Sequence, residues 1–492
     1  MCGAVRGPAH AAPPPARKRT ATVTDTAPSP AFPRIAVVLF TADLRVHDHP
    51  PLRAAHDSAD AVVPLFVRDP AVDRAGFAAP NRLAFLADCL ADLDRSLRER
   101  GGRLVMRSGD TVAEVCRIAR QTGADEVHVS AGPTAFARAR ELRLRRALEA
   151  DGRRLYAHDG VGSVVPPGEV APQGSGHYAV FTPYFRRWAD RPARTPLAAP
   201  RALRVPPEPR SDPLPSRAGV PGVSAGLAAG GETEARRRLR SWLSRSLDAY
   251  EERHDVLDDR AGHGTSRLSP YLHFGALSPV EAVHRARARG GAGAEAFVRQ
   301  LCWRDFHQQV LAARPDAARA DYRPGRGVWR SGREAERDLR AWRAGRTGYP
   351  LVDAGMRQLA HEGWMHNRAR LVTASFLTKT LLLDWRDGAR HFLDLLADGD
   401  VANNQLNWQW VAGTGTDTRP NRVLNPVRQA QRYDPDGAYA RRWLPELAGL
   451  AAPAVHEPWR LTGLDRAAYD YPDPLVPLAD GLARFRAAHD AA

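Results

Sequence analysis

The sequence predicts an α/β fold in two parts: a doubly wound parallel sheet near the N-terminus, then an all-helical domain. Between residues 34 and 160, short runs rich in β-branched residues alternate with amphipathic helical stretches, a pattern typical of a parallel sheet covered by helices. A stretch rich in proline, glycine and alanine follows. From Glu232 onward helix-type apolar spacing dominates. A chain of 492 residues is long enough for two such domains.

These changes of pattern set the predicted boundaries. Residues 1–33 form a disordered tail, 34–160 the α/β domain, 161–231 an interdomain linker, 232–474 the helical domain, and 475–492 a C-terminal tail with a weak helix. Within the linker, residues 177–188 are apolar enough to pack on the second domain. The predicted strands are 35–40, 61–67, 104–107, 126–130 and 155–158. The predicted helices are 82–100, 111–122, 136–150, 234–250, 279–289, 294–312, 333–344, 352–360 and 371–383, with Gly363 and Asp384 as caps.

Composition narrows the class of protein. The formal net charge is +15, from 71 Lys and Arg against 56 Asp and Glu, which favours a polyanionic partner, nucleic acid first. An Arg- and Ala-rich composition from a GC-rich genome is an alternative source of part of this excess. No apolar run reaches membrane-spanning length. The four cysteines show neither CxxC nor zinc spacing, which predicts a reduced cytoplasmic protein without a metal site.

Residues 347–426 carry an unusual concentration of polar and aromatic side chains between apolar helical segments. Such polar groups are costly to bury unless they are paired or bind something. We therefore predict a pocket for a large, polar, aromatic ligand, the alternative being a set of internally satisfied hydrogen bonds. The residues concerned are Trp364, His366, Asn367, Arg368, Arg370, Asp398, Asp400, Asn403, Asn404, Trp408 and Trp410.

Two local patterns sharpen this prediction. Residues 265–270 read TSRLSP before a helix, and hydroxyl and backbone N–H groups at a helix start can bind an anion. An ordinary N-cap followed by proline is the alternative there. Asn367 and Arg370 lie three residues apart and share one helix face. A buried Arg370 needs a partner, for which Asp398 is the expected residue.

Six motifs follow one another in the helical part of the sequence: TGYPLVDAGMRQL, GWMHNRAR, DWRDGARHF, DGDVANN, NWQWVAGTGTD and VLNP. In this respect the chain resembles the DNA photolyase/cryptochrome family over about residues 34–474, and most closely the class I cyclobutane pyrimidine dimer photolyases of bacteria. The resemblance implies an N-terminal antenna-chromophore domain and a helical FAD-binding domain. It also implies light-driven repair of UV-damaged DNA by an electron from photoexcited reduced FAD. A cryptochrome-like blue-light photoreceptor and a six-four photolyase are the alternatives, and we expect a monomer.

The resemblance assigns roles to individual residues. Asn404 matches the residue that faces the flavin N5 atom; plant cryptochromes typically carry Asp there and animal ones Cys, so Asn404 favours a repair enzyme. A tryptophan chain for electron transfer matches Trp408, Trp385 and Trp329. The FAD-binding positions are Tyr250, Thr265, Ser266, Arg267, Leu268, Ser269, Asn367, Arg370, Asp398, Asp400 and Asn404.

The substrate side follows in the same way. Trp303 and Trp410 match the aromatic walls of the hole that accepts a flipped dimer. Gln300 is a departure, because cyclobutane-dimer enzymes often have Glu there, whereas six-four photolyases typically have Gln. Against that, six-four enzymes carry a His-His pair where this chain has His366-Asn367. The expected substrate and DNA contacts are Gln300, Trp303, Arg304, Asn367, Arg368, Leu371, Trp410 and Arg422, with Arg304, Arg368 and Arg422 as phosphate clamps.

The antenna chromophore is either a folate or an 8-hydroxy-deazaflavin in this family. Folate binders of the bacterial type carry an Asn-Glu pair where this chain has Phe136 and Ala137. The absence of that pair favours 8-hydroxy-deazaflavin over methenyltetrahydrofolate. In the loop after the first strand, we predict that Asp43 and Arg45 form a structural ion pair in preference to contacting a ligand.

Overall fold

A computed structural model describes residues 1, 3, 34–259, 264–324 and 327–490 of the chain. The prediction of a disordered tail falls on residues that are, apart from two, outside this range. The division into domains at residues 160, 231 and 474 stays a prediction. Within the described ranges, every helix is too short or too polar to cross a lipid bilayer.

Five parallel strands form one sheet in the order β3-β2-β1-β4-β5. Val37 of the central strand lies opposite Val63 on one side and Val127 on the other, and all three are fully buried. Burial on both faces explains why the strands read as continuous apolar runs. The predicted strands are confirmed: β1 (Ile35–Phe40), β2 (Ala61–Arg68), β3 (Val105–Ser108), β4 (Glu126–Ser130) and β5 (Arg154–His158).

Helices cover the sheet on both faces. The three predicted helices are confirmed, and two short ones that the sequence did not predict precede them. The first of these starts after His49, whose imidazole accepts a hydrogen bond from the Leu52 N–H group, and the second after Asp69. Both are too short for apolar periodicity to reveal. The helices are α1 (Pro50–Ser58), α2 (Pro70–Arg74), α3 (Pro80–Arg98), α4 (Thr111–Thr122) and α5 (Ala135–Ala150).

The loop after β1 is structural, but the predicted ion pair within it is wrong. Asp43 accepts a hydrogen bond from His49 Nε2 at 3.0 Å and another from Ser130 at the end of β4. Arg45 instead donates to backbone carbonyls, among them Gly275 O at 2.9 Å. A guanidinium can satisfy several convergent carbonyls at once, whereas a single carboxylate cannot occupy all its donors. Arg45 therefore joins the sheet to the helical domain.

The linker packs against the helical domain, as predicted for residues 177–188. Its helix α6 (Phe181–Ala189) places Trp188 Nε1 2.9 Å from one carboxylate oxygen of Asp305. The same oxygen accepts the N–H groups of Val164 and Val165. One continuous apolar core extends from the sheet through this linker into the helical domain. Asp305 thus holds the linker at three points.

The helical domain follows the predicted pattern with two differences: the helix predicted over 234–250 ends at Arg245, with a separate short helix from Tyr250, and residues 371–383 are not one helix. There the helix starts earlier, at Asn367, because His366 caps it, and a single π turn at Phe376–Thr380 replaces its second half. Gly363, with φ 60°, and Asp384 cap helices as predicted. The helices are α7 (Glu232–Arg245), α8 (Tyr250–Arg253), α9 (Ser269–His273), α10 (Pro279–Arg289), α11 (Ala292–Ala313), α12 (Arg333–Arg343), α13 (Pro350–Glu362), α14 (Asn367–Ser375), α15 (Trp385–Leu395), α16 (Val401–Ala412), α17 (Pro426–Tyr433), α18 (Ala438–Trp443), α19 (Gly463–Ala467) and α20 (Leu478–Asp490).

Asp305 gives the fold a specific pH dependence. Burial raises the pKa of its carboxyl to about 6, above the ordinary value of 3.8, although the hydrogen bonds from Val165 and Trp188 oppose the shift. Between these pH values the folded state binds more protons than the unfolded state, so the free energy of unfolding falls as pH rises from about 4 to 6. Asp305→Asn keeps the acceptor oxygen and removes this titration. Denaturant unfolding across that range should show a loss of about 3 kcal/mol at most in the wild type relative to the variant, and parallel curves would contradict this.

Candidate functional site

An ion pair between α14 and the turn before α16 lies at the centre of the site. Arg370 Nη2 is 2.9 Å from Asp398 Oδ2, and its Nε donates to Met365 O at 2.9 Å. Burial alone would raise the pKa of Asp398, but the Arg370 cation and the Ser269 hydroxyl hold that pKa below its usual value. The predicted pairing is confirmed. Asp398 is therefore a buried, charged carboxylate that fixes the relative position of two helix starts.

Helix α16 presents its polar N-terminus to the same region. Asp400 caps it by accepting the Asn403 N–H at 3.0 Å, so that a carboxylate lies at the positive end of the helix. One turn later, the Asn404 amide nitrogen donates to Ala389 O of α15 at 3.0 Å. That bond fixes the orientation of the Asn404 amide, which is neutral, largely buried and close to Asp398 and Asp400 in the sequence.

Residues 264–269 leave backbone donors without partners. Asp259 accepts the N–H groups of Gly264 and Thr265 and the Thr265 hydroxyl. The N–H groups of Ser266 and Leu268 find no acceptor within the described part of the chain. Helix α9 begins after Leu268 with no side-chain cap, so the alternative of an ordinary capped helix start is not what the structure shows. These free donors suit an anionic group.

Arg267 stands in this segment with a left-handed backbone, φ 52°. Its guanidinium lies 4.2 Å from the centroid of the Trp364 ring and 3.3 Å from Glu362. A non-glycine residue in this conformation costs about 1 kcal/mol or more and is enriched at ligand sites. Tyr250, at the start of α8, is buried and contacts the ring of Trp242.

His366 supplies a further unsatisfied group. Its Nδ1 accepts the Arg368 N–H at 3.1 Å, so the proton of the neutral ring resides on Nε2. Burial lowers the pKa of His366 to about 4, which keeps the ring neutral. Nε2 is buried and meets no acceptor among the described residues. Free N–H donors of Ser266 and Leu268, a free imidazole N–H and a fixed carboxylate acceptor together fit a flavin dinucleotide.

The three tryptophans of the predicted electron-transfer chain differ in burial. Trp408 of α16 packs 4.9 Å from Phe392 and fills the space above Gly388, where an added Cβ would lie 2.2 Å from the ring. Trp385 is fully buried and donates from Nε1 to Asp321 at 2.8 Å. Trp329 is partly exposed. The set therefore includes both interior and surface indoles, as electron transfer to the surface requires.

Four predicted substrate residues meet at one cleft. It has a volume of about 30 Å³ and takes its walls from α14, α16 and the segment after α16. Arg368 also pairs with Asp255 and lies 4.3 Å from the Tyr433 ring centroid. The sequence did not predict Asp255 as a partner of Arg368, because the two residues are 113 positions apart in the chain. The cleft residues are Arg368, Leu371, Trp410, Val411, Asp417, Arg422 and Leu424.

The predicted residues of α11 do not line this cleft. Trp303 stacks on Phe181 of the linker, with ring centroids 3.7 Å apart. Gln300 is exposed, as is Asn367 at the start of α14. Arg304 donates to the carbonyls of Gly162 and Leu272, lies 3.9 Å from Asp400 Oδ2 and is 13 % exposed. Its assignment as a phosphate clamp stays a prediction.

The central ion pair gives a direct test of the flavin site. Asp398→Asn removes the charge that Arg370 neutralises, and we expect FAD per protein to fall sharply and stability to drop by about 2 kcal/mol, since Arg370 is only partly buried. Absorbance and thermal melting measure both. Glu457→Gln, which disrupts the Arg460–Glu457 pair, whose arginine is exposed, is the control and should change neither. Full FAD content in the Asp398 variant would contradict the assignment.

Comparison with known proteins agrees with this geometry. The family described as "DNA photolyase" matches residues 36–202, and "FAD binding domain of DNA photolyase" matches residues 297–491. A deoxyribodipyrimidine photo-lyase of Streptomyces griseus is 62% identical over 455 residues, covering 92% of this chain and 99% of that protein.

Two solved structures share the whole fold. A class III photolyase from Agrobacterium tumefaciens superposes with a TM-score of 0.87 at 33% identity, covering 95% of this chain and 99% of the other. A Synechocystis cryptochrome gives a TM-score of 0.85 at 29% identity, covering 93% and 100%. With free donors and a fixed carboxylate that suit a flavin, and with a 62% identical relative along nearly its full length, this chain belongs to the DNA photolyase family.

Proposed function

We propose that the chain is a light-driven DNA repair lyase, a deoxyribodipyrimidine photo-lyase that splits cyclobutane pyrimidine dimers. One observation carries the proposal: the candidate flavin site and the cleft are built on the same two helices. On α14, Arg370 of the flavin site is the neighbour of Leu371 of the cleft. On α16, Trp408 and Trp410 are separated by one residue. This arrangement suits transfer of an electron over a short distance.

Reduced FAD, when bound, supplies the photoexcited electron that opens the two carbon–carbon bonds of the dimer, and the electron then returns. No side chain needs to act as an acid or a base in this cycle. The chain's part is to bind and orient: the free donors of Ser266 and Leu268 would hold the anionic pyrophosphate of the cofactor, and Asp398 and Asn404 would lie beside its ring system. Trp408, Trp385 and Trp329 would carry electrons from the surface to the cofactor.

The side chains that line the cleft are suited to an extruded pair of bases. Trp410 offers an aromatic face, and Leu371 and Leu424 add apolar walls. Stacking on an indole offsets part of the cost of removing a damaged base pair from the duplex, which is a few kcal/mol. Arg422 is exposed at the edge of the cleft. Its cation is placed to contact a phosphate, which fixes register without reading sequence.

Two other activities are the alternatives. A six-four photolyase is suggested by Gln300, but this side chain is exposed and lies outside the cleft, so its identity has little direct influence there. A photoreceptor is suggested by the likeness to the Synechocystis cryptochrome. Against it stands the 62% identity to the Streptomyces griseus photo-lyase.

For the antenna chromophore we propose an 8-hydroxy-deazaflavin at the carboxyl ends of the strands, near the point where the strand order reverses. At the start of α5, Phe136 is 42% exposed and Ala137 follows, so neither offers the polar pair that holds a folate. Arg140 on the same helix lies 6.0 Å from the Phe136 ring centroid and close to Asp43. A cation beside an aromatic ring suits the ionised hydroxyl of a deazaflavin.

Repair is tested with purified protein, reduced FAD and oligonucleotides that carry one defined lesion. Blue light should split cyclobutane dimers back into separate pyrimidines and leave six-four products intact. Trp410→Ala should weaken binding of the dimer oligonucleotide by about 10- to 100-fold, because stacking contributes about 1–3 kcal/mol per base. Trp410→Phe keeps an aromatic face and should retain most of the affinity. Repair of six-four products alone, or none under light, would overturn the proposal.

The antenna proposal is checked on the cofactors extracted from the protein. Mass spectrometry should find FAD together with a deazaflavin when the host organism makes one. Phe136→Asn combined with Ala137→Glu should shift the bound chromophore towards folate. Recovery of methenyltetrahydrofolate from the unaltered protein in the presence of deazaflavin would show that the antenna assignment is wrong.

A further inference from the structure

Lysine is almost absent from this chain. Of its 71 basic residues only Lys18 and Lys379 are lysine, and all others are arginine. Lys379 lies in the π turn at Phe376–Thr380, between α14 and α15, and is 1% exposed. A buried lysine in so arginine-rich a sequence points to a requirement that the planar guanidinium does not meet.

The Lys379 ammonium is satisfied by backbone groups. Nζ donates to the carbonyl of Pro420 and, at 2.7 Å, to that of Arg422. The ring of Phe485 on α20 covers it, with the centroid 5.4 Å from Nζ. Burial lowers the pKa of Lys379 to about 8, with Arg422 adding to the shift and Asp417 opposing it. The group therefore remains charged at neutral pH, and both carbonyls keep a charged donor.

The carbonyls belong to residues 413–424, which we call the strap. At its start, Gly413 has φ 87° and approaches Pro420 so closely that an added Cβ would lie 2.6 Å from Pro420 O. At its end, the Leu424 N–H donates to the Ser375 hydroxyl at 3.0 Å. Between these ends, Arg323 Nη1 donates to Asp417 O at 2.9 Å, and Lys379 holds Pro420 and Arg422. The strap carries Asp417, Arg422 and Leu424, three of the residues that line the cleft.

We propose that Lys379 is a positioning residue for lesion recognition: it anchors the strap so that Arg422 and Leu424 face the cleft. The inference rests on the proposed function, because it takes the cleft as the dimer site. An ammonium is compact and directs its donors to separate points, so it can reach two convergent carbonyls in a confined space. A guanidinium can also satisfy convergent carbonyls, as that of Arg45 does, but it is larger and its donors lie in one plane.

Loss of the ammonium should affect the lesion side of the site alone. Two partly buried carbonyls would lose their charged donor, and the part of the strap from Pro420 to Arg422 would lose its side-chain anchor, although Arg323 would still hold Asp417 O. The flavin site makes no use of the strap: Arg370, Asp398 and Asn404 bond to α14, α15 and the turn before α16. FAD binding should therefore survive.

The test compares Lys379→Met and Lys379→Arg with the matched control Lys18→Met. Both Lys379 variants should bind a dimer-containing oligonucleotide about 10-fold or more weakly. They should keep the FAD content of the wild type, its affinity for undamaged DNA within about twofold, and its repair per absorbed photon at saturating DNA. Lys18→Met should match the wild type in every measurement. An unchanged affinity for the dimer in Lys379→Met, full function in Lys379→Arg, or loss of FAD would each overturn the proposal.

Amide hydrogen exchange of the strap provides a readout that needs neither DNA nor light. Exchange in residues 413–424 should be at least about tenfold faster in Lys379→Met than in the wild type, with α14 and α16 unchanged. Equal exchange rates would refute the anchoring role even if repair is confirmed. Conversely, if the wild type fails to bind dimers, the proposed function fails, while the exchange measurement still decides whether Lys379 holds the strap.

Discussion

The ion pair between Arg370 and Asp398 is the constraint on which the site depends. A buried carboxylate and a partly buried guanidinium are stable only when each meets the other. Their contact fixes α14 against the turn that starts α16. Because each of these helices carries residues of the candidate flavin site and residues of the cleft, a single pair sets how far apart these two sites lie.

The surrounding structure holds that pair in a rigid frame. One apolar core extends from the sheet into the helical domain. Apolar packing alone does not fix how these parts are positioned against each other, and polar side chains that reach from one part to the other do so. Asp305 binds the linker at three points, and Arg45 reaches from the sheet to Gly275 O. Both use side chains to satisfy backbone groups of another segment, which gives directional contacts that apolar packing lacks.

Sequence patterns predicted the strands, the long helices and the Arg370–Asp398 pair, because these follow from periodicity and from motif order. They failed where a side chain meets distant backbone. The partners of Arg45 are carbonyls, and a carbonyl carries no residue identity that a pattern could reveal. The π turn at Phe376–Thr380 has the residue pattern of an ordinary helix, because it differs from one only in its backbone hydrogen bonds. For Lys379 the signal was present in the composition, because it is the single lysine of the helical domain. Its proposed role could be inferred only from its contacts with the strap.

The most direct test of the account is the fluorescence of the reduced-FAD protein titrated with short duplexes, with and without one cyclobutane dimer. If the flavin site and the cleft adjoin through α14 and α16, dimer-containing DNA should quench the flavin emission strongly at saturation, because the bound lesion accepts the excited electron. Undamaged DNA should leave the emission unchanged. Tight binding of the dimer without quenching would place the lesion too far from the cofactor and would contradict the account.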